Sequence, residues 1–160
     1  GDPEVSMQWP IRVDCEGVQK DFQCKGRADW LTTVDGSACL VGLKTARDHR
    51  HFVFGSAAAK MGYGIQWPWY FDGFRSFTGK TPRVVEIVVD SSPPHDVAVY
   101  EINDDILQRG REEYETLLGL LAQCQTLNEW PGVYTSEQVL TMPTWWYGEQ
   151  TDDISELGLE

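Results

Sequence analysis

Hydrophobic and polar positions change period several times along the chain, and each change predicts an element. Met7, Trp9, Ile11 and Val13 alternate with polar residues around Pro10, which predicts a first, edge-like strand over residues 6–15. Residues 14–17 read as a turn. Asp35-Gly36 is a strong two-residue hairpin signal, so residues 22–33 and 38–45 are predicted as antiparallel strands. Asp48 then precedes a helical stretch over residues 50–61, as its cap, and Ala57-Ala58-Ala59 favours that helix. Gly62 and Gly64 interrupt it. A second helix follows over residues 63–77, with Pro68 near its first turn and the rings of Trp67, Trp69, Tyr70 and Phe71 mostly in the core.

The second half is plainer. Val84-Val85-Glu86-Ile87-Val88-Val89 is a strand, Ser91-Ser92-Pro93-Pro94 a loop, and residues 96–101 an antiparallel partner. Asn103 caps a long helix over residues 104–127, with the apolar stripe Ile106, Leu107, Tyr114, Leu117, Leu118 and Leu121. Trp130-Pro131-Gly132 stops it. Met142-Pro143-Thr144-Trp145-Trp146 suggests an aromatic strap, followed by an acidic tail. Strands, helices, strands and a helix in that order give a mixed α/β class with a central mixed sheet flanked by helices.

The hairpin has a chemical consequence. It sets Asp29 near Lys44 at the end away from the turn, a carboxylate beside an ammonium. That pair can hold a divalent cation and steady an anion next to it, or serve only as a surface salt bridge. Gln66 and Tyr70 stand four apart, on one face of the following helix.

Composition narrows the class. A chain of 160 residues, 41% hydrophobic and 12% aromatic, folds as one globular domain. No apolar run approaches the ~20 residues that span a bilayer, and no signal-peptide pattern opens the chain, so no membrane role is expected. The abrupt start Gly1-Asp2-Pro3-Glu4 suits a fragment of a longer protein. The four cysteines, Cys15, Cys24, Cys39 and Cys124, form no C-x-x-C, which speaks for a reduced, cytoplasmic protein. Cys39 reads as a small buried hydrophobe. A formal charge of −12 argues against a generally basic nucleic-acid surface. Yet Lys20, Lys25, Arg27, Lys44, Arg47, Arg50 and Lys60 all fall between residues 20 and 60, which leaves a local basic track. His49-x-His51 flanks a helix start and reads as solvent-exposed.

Gly26-x-x-Asp29, Gly42-Leu43-Lys44 and Gln66-x-x-x-Tyr70, in this order, resemble the RecB-type branch of the PD-(D/E)XK nuclease superfamily. The pattern there is a GxxD strand, a D-x-K strand and a QxxxY helix. The resemblance is strongest to the exonuclease VIII (RecE-like) group of phage and prophage origin, and it covers nearly the whole chain. It implies a PD-(D/E)XK core over residues 1–145, lacking N-terminal helices that family members usually carry, with residues 146–160 as an acidic C-terminal tail.

The resemblance also implies a Mg²⁺- or Mn²⁺-dependent DNA exonuclease of the recombination type. Asp29, Lys44, Gln66 and Tyr70 would be catalytic. Asp29, the backbone carbonyl of Leu43 and Glu4 would hold the metal. Gln66, Tyr70, Arg27 and Arg47 would contact DNA. A homo-oligomeric ring and a single-strand annealing protein are the implied partners. One departure matters: where the family has the acid of D-x-K, this chain has Gly42. Glu4, Asp48 and Glu86 are the acids that can have moved in. Glu86 is the best placed by order, though it reads first as a surface carboxylate. With residues 42 and 44 on one strand face, an aspartate at 42 is expected to enter without a clash and restore an oxygen ligand. The alternative is a catalytically silent DNA-binding or scaffold module on the same fold. A carbohydrate-binding module, suggested by seven tryptophans and the acidity, is a third reading.

Overall fold

The computed structural model describes residues 1–15, 17–134 and 136–147. Residues 148–160, most of the expected acidic tail, and Glu16, within the expected first turn, lie outside the described residues. The chain divides into two units, Gly1–Asn128 and Glu129–Glu160.

The first unit holds one five-stranded sheet in the order β1-β2-β3-β4-β5. Its strands are β1 (Asp2–Cys15), β2 (Val18–Val34), β3 (Ser37–Ala46), β4 (Arg83–Asp90) and β5 (Val97–Glu101). Only β3 and β4 run parallel; every other neighbouring pair is antiparallel. Two helices, α1 (His51–Lys60) and α2 (Tyr63–Thr78), make the crossover that a parallel pair requires. The long helix α3 (Asp104–Leu127) follows β5. The expected mixed sheet with helices is therefore the observed architecture.

Local chemistry accounts for the elements. Asp35 and Gly36 both take positive φ, 50° and 79°, the backbone a tight two-residue hairpin needs. Pro10 sits on β1, an edge strand, where a missing N–H is tolerated. Met7 and Trp9 of that strand are buried with Cys24 and Ala28 of β2. The Asn103 side chain accepts the Ile106 N–H at 3.0 Å, as expected of the α3 cap. Cys39 is buried, as expected.

Four local expectations are corrected. Arg50, not Asp48, is the N-cap of α1; Asp48 accepts the Arg50 N–H at 2.9 Å and is gripped by the Arg50 guanidinium. That contact holds the Asp48 carboxyl at about 2. Pro68 lies inside α2 and is buried, well past the first turn. It offers no N–H to the Gly64 carbonyl, and α3 closes on that carbonyl: a Cβ on Gly110 would fall 1.8 Å from it. The buried face of α3 is Leu107, Gly110, Tyr114, Leu118 and Ala122, whereas Ile106 and Leu117 are exposed. His49 is half-buried rather than exposed, its ring 2.8 Å from Asp90 Oδ2. In the second unit a 3₁₀ turn, Thr144–Tyr147, forms at the end of the expected strap, and the Tyr147 hydroxyl accepts the Met142 N–H.

Candidate active site

The site forms where the β2–β3 ladder ends. That ladder runs from Val34↔Ser37 to Trp30↔Val41. One step further, side-chain chemistry takes over from backbone pairing: the Leu43 N–H donates to Asp29 Oδ2 at 2.9 Å. This bond fixes the Asp29 carboxylate beside the backbone of the D-x-K-like strand. The Leu43 side chain itself is exposed.

Lys44 lies two residues beyond Gly42 and so on the same face of β3. Its ammonium is mostly shielded, with the side chain 16% exposed, 3.8 Å from Glu86 Oε1 and 5.0 Å from the centre of the Tyr63 ring. From α2, Gln66 Nε2 donates to the Tyr70 hydroxyl at 3.2 Å, one turn away. Asp29, Gly42, Lys44, Gln66, Tyr70 and Glu86 line a single cavity of about 20 Å³, room for about one water or a small ion.

Glu86 is the residue that sequence reasoning placed wrongly. It is 1% exposed, among the most buried side chains of the protein. The Trp67 indole N–H donates to Oε2 at 2.6 Å, while Oε1 has no hydrogen-bond partner. Burial pushes the Glu86 carboxyl above its usual range; the Trp67 bond and the Lys44 charge oppose this, and the Asp29 charge adds to it. Trp67, read only as a core ring, and Tyr63 are thus part of the wall that holds Glu86 and Lys44. Glu86 shares its strand face with Val84 and Val88, which are both buried.

The remaining expected residues are not gathered into that cavity. Glu4 falls where the β1–β2 register skips from Pro3↔Trp30 to Val5↔Ala28, and its carboxylate is held by Arg27 at 2.6 Å, both exposed. It lines a shallower outer concavity with Asp29, Gly42 and Leu43. Arg47 is exposed just past the end of β3.

The donor set is one of oxygens. Among the described residues no three His, Cys, Asp or Glu side chains cluster as a metal site. Asp29 and Glu86 remain, two carboxylates on one cavity, one with an unpaired buried oxygen. That set suits Mg²⁺, which commonly takes one or two carboxylates and leaves its other positions to water and substrate phosphate.

Among solved structures, the chain is similar to a "Putative exonuclease" from Eubacterium rectale, with a TM-score of 0.60 at 16% identity over 89% of this chain and 54% of that one. A second similar structure, SSO0001, has a TM-score of 0.46 at 18% identity over 83% of this chain and 52% of that one. This chain thus spans about half the length of each. A search of the curated proteins found no match. The family model described as "PDDEXK-like domain of unknown function (DUF3799)" matches residues 10–140. With the sheet order, the crossover helices and that match in agreement, the chain belongs to this PDDEXK-like domain family.

Proposed function

We propose that this chain is the phosphodiester-cleaving domain of a DNA exonuclease working with Mg²⁺ or Mn²⁺. The observation that carries the reading is the convergence of Asp29, Lys44, Gln66 and Tyr70, from two strands and a helix, on one small cavity. A bound divalent cation would polarise the scissile phosphate and lower the pKa of the attacking water. Asp29 and the Leu43 carbonyl would hold it. Lys44 has one anionic neighbour at 3.8 Å, beyond hydrogen-bond reach, so its ammonium can orient water or a phosphate oxygen. Gln66 and Tyr70, already bonded to each other, would present a fixed polar pair to the DNA backbone. Arg27 and Arg47 would contribute at the rim, Arg27 after release from Glu4.

The finer assignment follows the RecE-like resemblance: a cytoplasmic enzyme of recombination or phage DNA processing, assembled as a ring and working with a single-strand annealing protein. Its nuclease-like domain would span residues 1–145, with 146–160 as the acidic tail. The similar Eubacterium rectale protein, described as a "Putative exonuclease", supports the nuclease part of this reading. The test is nucleotide release from linear duplex DNA in Mg²⁺ or Mn²⁺. Release that depends on metal and on Asp29 supports the reading. No release at high protein, with salt-sensitive DNA binding retained, favours the silent DNA-binding module that Gly42 suggests. Sedimentation showing only monomer at micromolar protein removes the ring. Of the rings that the carbohydrate-binding reading needs as exposed platforms, Trp67 is buried and Trp69 half-buried, while Trp146 is exposed.

A further inference from the structure

We propose that Glu86 is the second carboxylate ligand of the cation site, carried by β4 in place of an acid at position 42 on β3. The inference rests on the metal-dependent reading above and names a residue that the motif pattern does not contain.

Four observations carry it. Gly42 and Glu86 are direct partners in the parallel β3–β4 ladder, so their side-chain positions share one face. A Cβ on residue 42 would lie 2.5 Å from Glu86 Oε1, 2.6 Å from Oε2 and 2.8 Å from Cδ. The Glu86 carboxylate therefore fills the space that a side chain at 42 would need. It also lies on the cavity that Asp29 and Lys44 share. Finally, Oε1 is buried with no hydrogen-bond donor, the Lys44 ammonium standing 3.8 Å away. A buried carboxylate oxygen without a donor is costly, and a bound cation offsets that cost directly.

The other two acids that could have moved in are both engaged. Glu4 is paired with Arg27 on the outer wall, and Asp48 with Arg50 beyond the end of β3. Neither lines the cavity. Glu86 alone of the three points into it without an arginine. A purely structural Glu86 would accept the Trp67 N–H, which the amide oxygen of glutamine also does, and face the Lys44 ammonium at 3.8 Å, an attraction that glutamine gives up together with the cost of burying the charge. Hence Glu86→Gln separates the two roles.

The experiment is Mn²⁺ titration of the full chain by calorimetry, with thermal melts with and without Mn²⁺ and DNA cleavage measured in parallel. Wild type, Asp29→Asn, Glu86→Gln, Glu86→Ala and the double variant Gly42→Asp/Glu86→Ala are compared. Glu86→Gln is expected to weaken Mn²⁺ binding by about tenfold or more, at least the loss seen on removing an outer-shell partner. It should melt no lower than wild type without metal, and lose most of the Mn²⁺-induced rise in Tm. The double variant, with the acid returned to β3 and the obstruction gone, should bind Mn²⁺ within a few-fold of wild type. It also carries the test should Glu86→Gln fail to fold: if it binds no more Mn²⁺ than Glu86→Ala alone, the exchange of positions is wrong.

Unchanged Mn²⁺ affinity in Glu86→Gln, with cleavage intact and lost in Asp29→Asn, overturns the inference and leaves the nuclease reading standing. Binding that needs both carboxylates, without cleavage of any DNA, upholds the inference and removes the nuclease reading. No Mn²⁺ binding by the wild type overturns both.

Discussion

Gly42 and Glu86 face each other across the parallel β3–β4 ladder, and the glycine leaves the room that the glutamate carboxylate occupies. The sequence-based expectation that an aspartate enters at 42 without a clash is therefore corrected. Any Cβ there would stand 2.5 Å from Oε1 and 2.8 Å from Cδ of a side chain that is fully buried and bonded to Trp67. Gly42→Ala should cost about 1–3 kcal/mol, the usual range for overpacking. Gly42→Asp should cost more, because it adds a second carboxylate beside the first. Urea melts check this: the midpoint should fall with an unchanged slope. Adding Glu86→Ala should recover part of the loss, so the pair is non-additive.

Lys44 is shielded between the Glu86 carboxylate and the Tyr63 ring, and its charge is what the proposed reaction needs. Lys44→Met keeps the stem that packs on Tyr63 and removes the ammonium. Cleavage should drop by about 10²–10³-fold, as when one preorganised donor to a developing charge is deleted. Far-UV circular dichroism should be unchanged. A Lys44→Met protein that cleaves at the wild-type rate would remove this lysine from the chemistry.

A second polar cluster gives a pH prediction away from the site. The Tyr114 hydroxyl donates to Asp72 Oδ2 at 2.6 Å, and Arg111 grips both Asp72 oxygens at 2.7 and 2.8 Å. Burial, then the bond to Asp72, raises the Tyr114 phenol above its ordinary 10. A group with a raised folded-state pKa contributes stability that is whole below the unfolded value. That contribution is lost as pH climbs from about 10 through the raised value. Ultraviolet titration should show one late-ionising tyrosine, absent from Tyr114→Phe. The same variant should lose about 1 kcal/mol at neutral pH, from one hydrogen bond, and show a smaller further loss above pH 10.

What was legible in the chain divides along locality. Asp35-Gly36 announced its hairpin because two residues with positive φ leave few other choices. Asn103 announced α3 because the cap is a contact between residues three apart. Spacing within the hairpin paired Asp29 with Lys44, and spacing within one helical turn paired Gln66 with Tyr70; only the family resemblance joined the two pairs. Glu86 was legible as a candidate acid on a strand, but not its burial. Its neighbours Val85 and Ile87 are as apolar as Val84 and Val88, so the strand pattern alone does not say which face is covered. Its contact with Gly42 joins residues far apart in sequence through a parallel register that no local signal encodes. Pro68 was misplaced for a similar reason: what it packs against, Gly110 of α3, comes from a distant part of the chain and no local signal points to it.

Gly26 supplies the last prediction, because it links the first motif to the helix that completes the cavity. A Cβ on Gly26 would lie 2.7 and 2.8 Å from carbons of the Tyr70 ring and 3.3 Å from the Trp9 ring. Trp9 is itself pressed against Gly73 of α2 and stacked edge-on with Trp69 at 5.2 Å, so it has little freedom to retreat. Gly26→Ala must therefore displace Tyr70, and with it the Gln66–Tyr70 hydrogen bond. The stability cost should be about 1–3 kcal/mol. The larger consequence should be functional, since misplacing a positioning group by about 1 Å can cost on the order of 10²-fold in rate. Tyr70→Phe should remove only the hydroxyl and leave Gly26 packed as it is. If Tyr70 acts through its position and hydroxyl, both variants lower the cleavage rate, and adding Gly26→Ala to Tyr70→Phe lowers it by less than the product of the two. Gly26→Ala that loses stability but keeps the wild-type rate would show that Tyr70 is a packing residue, and that the glycine of the first motif serves the fold alone.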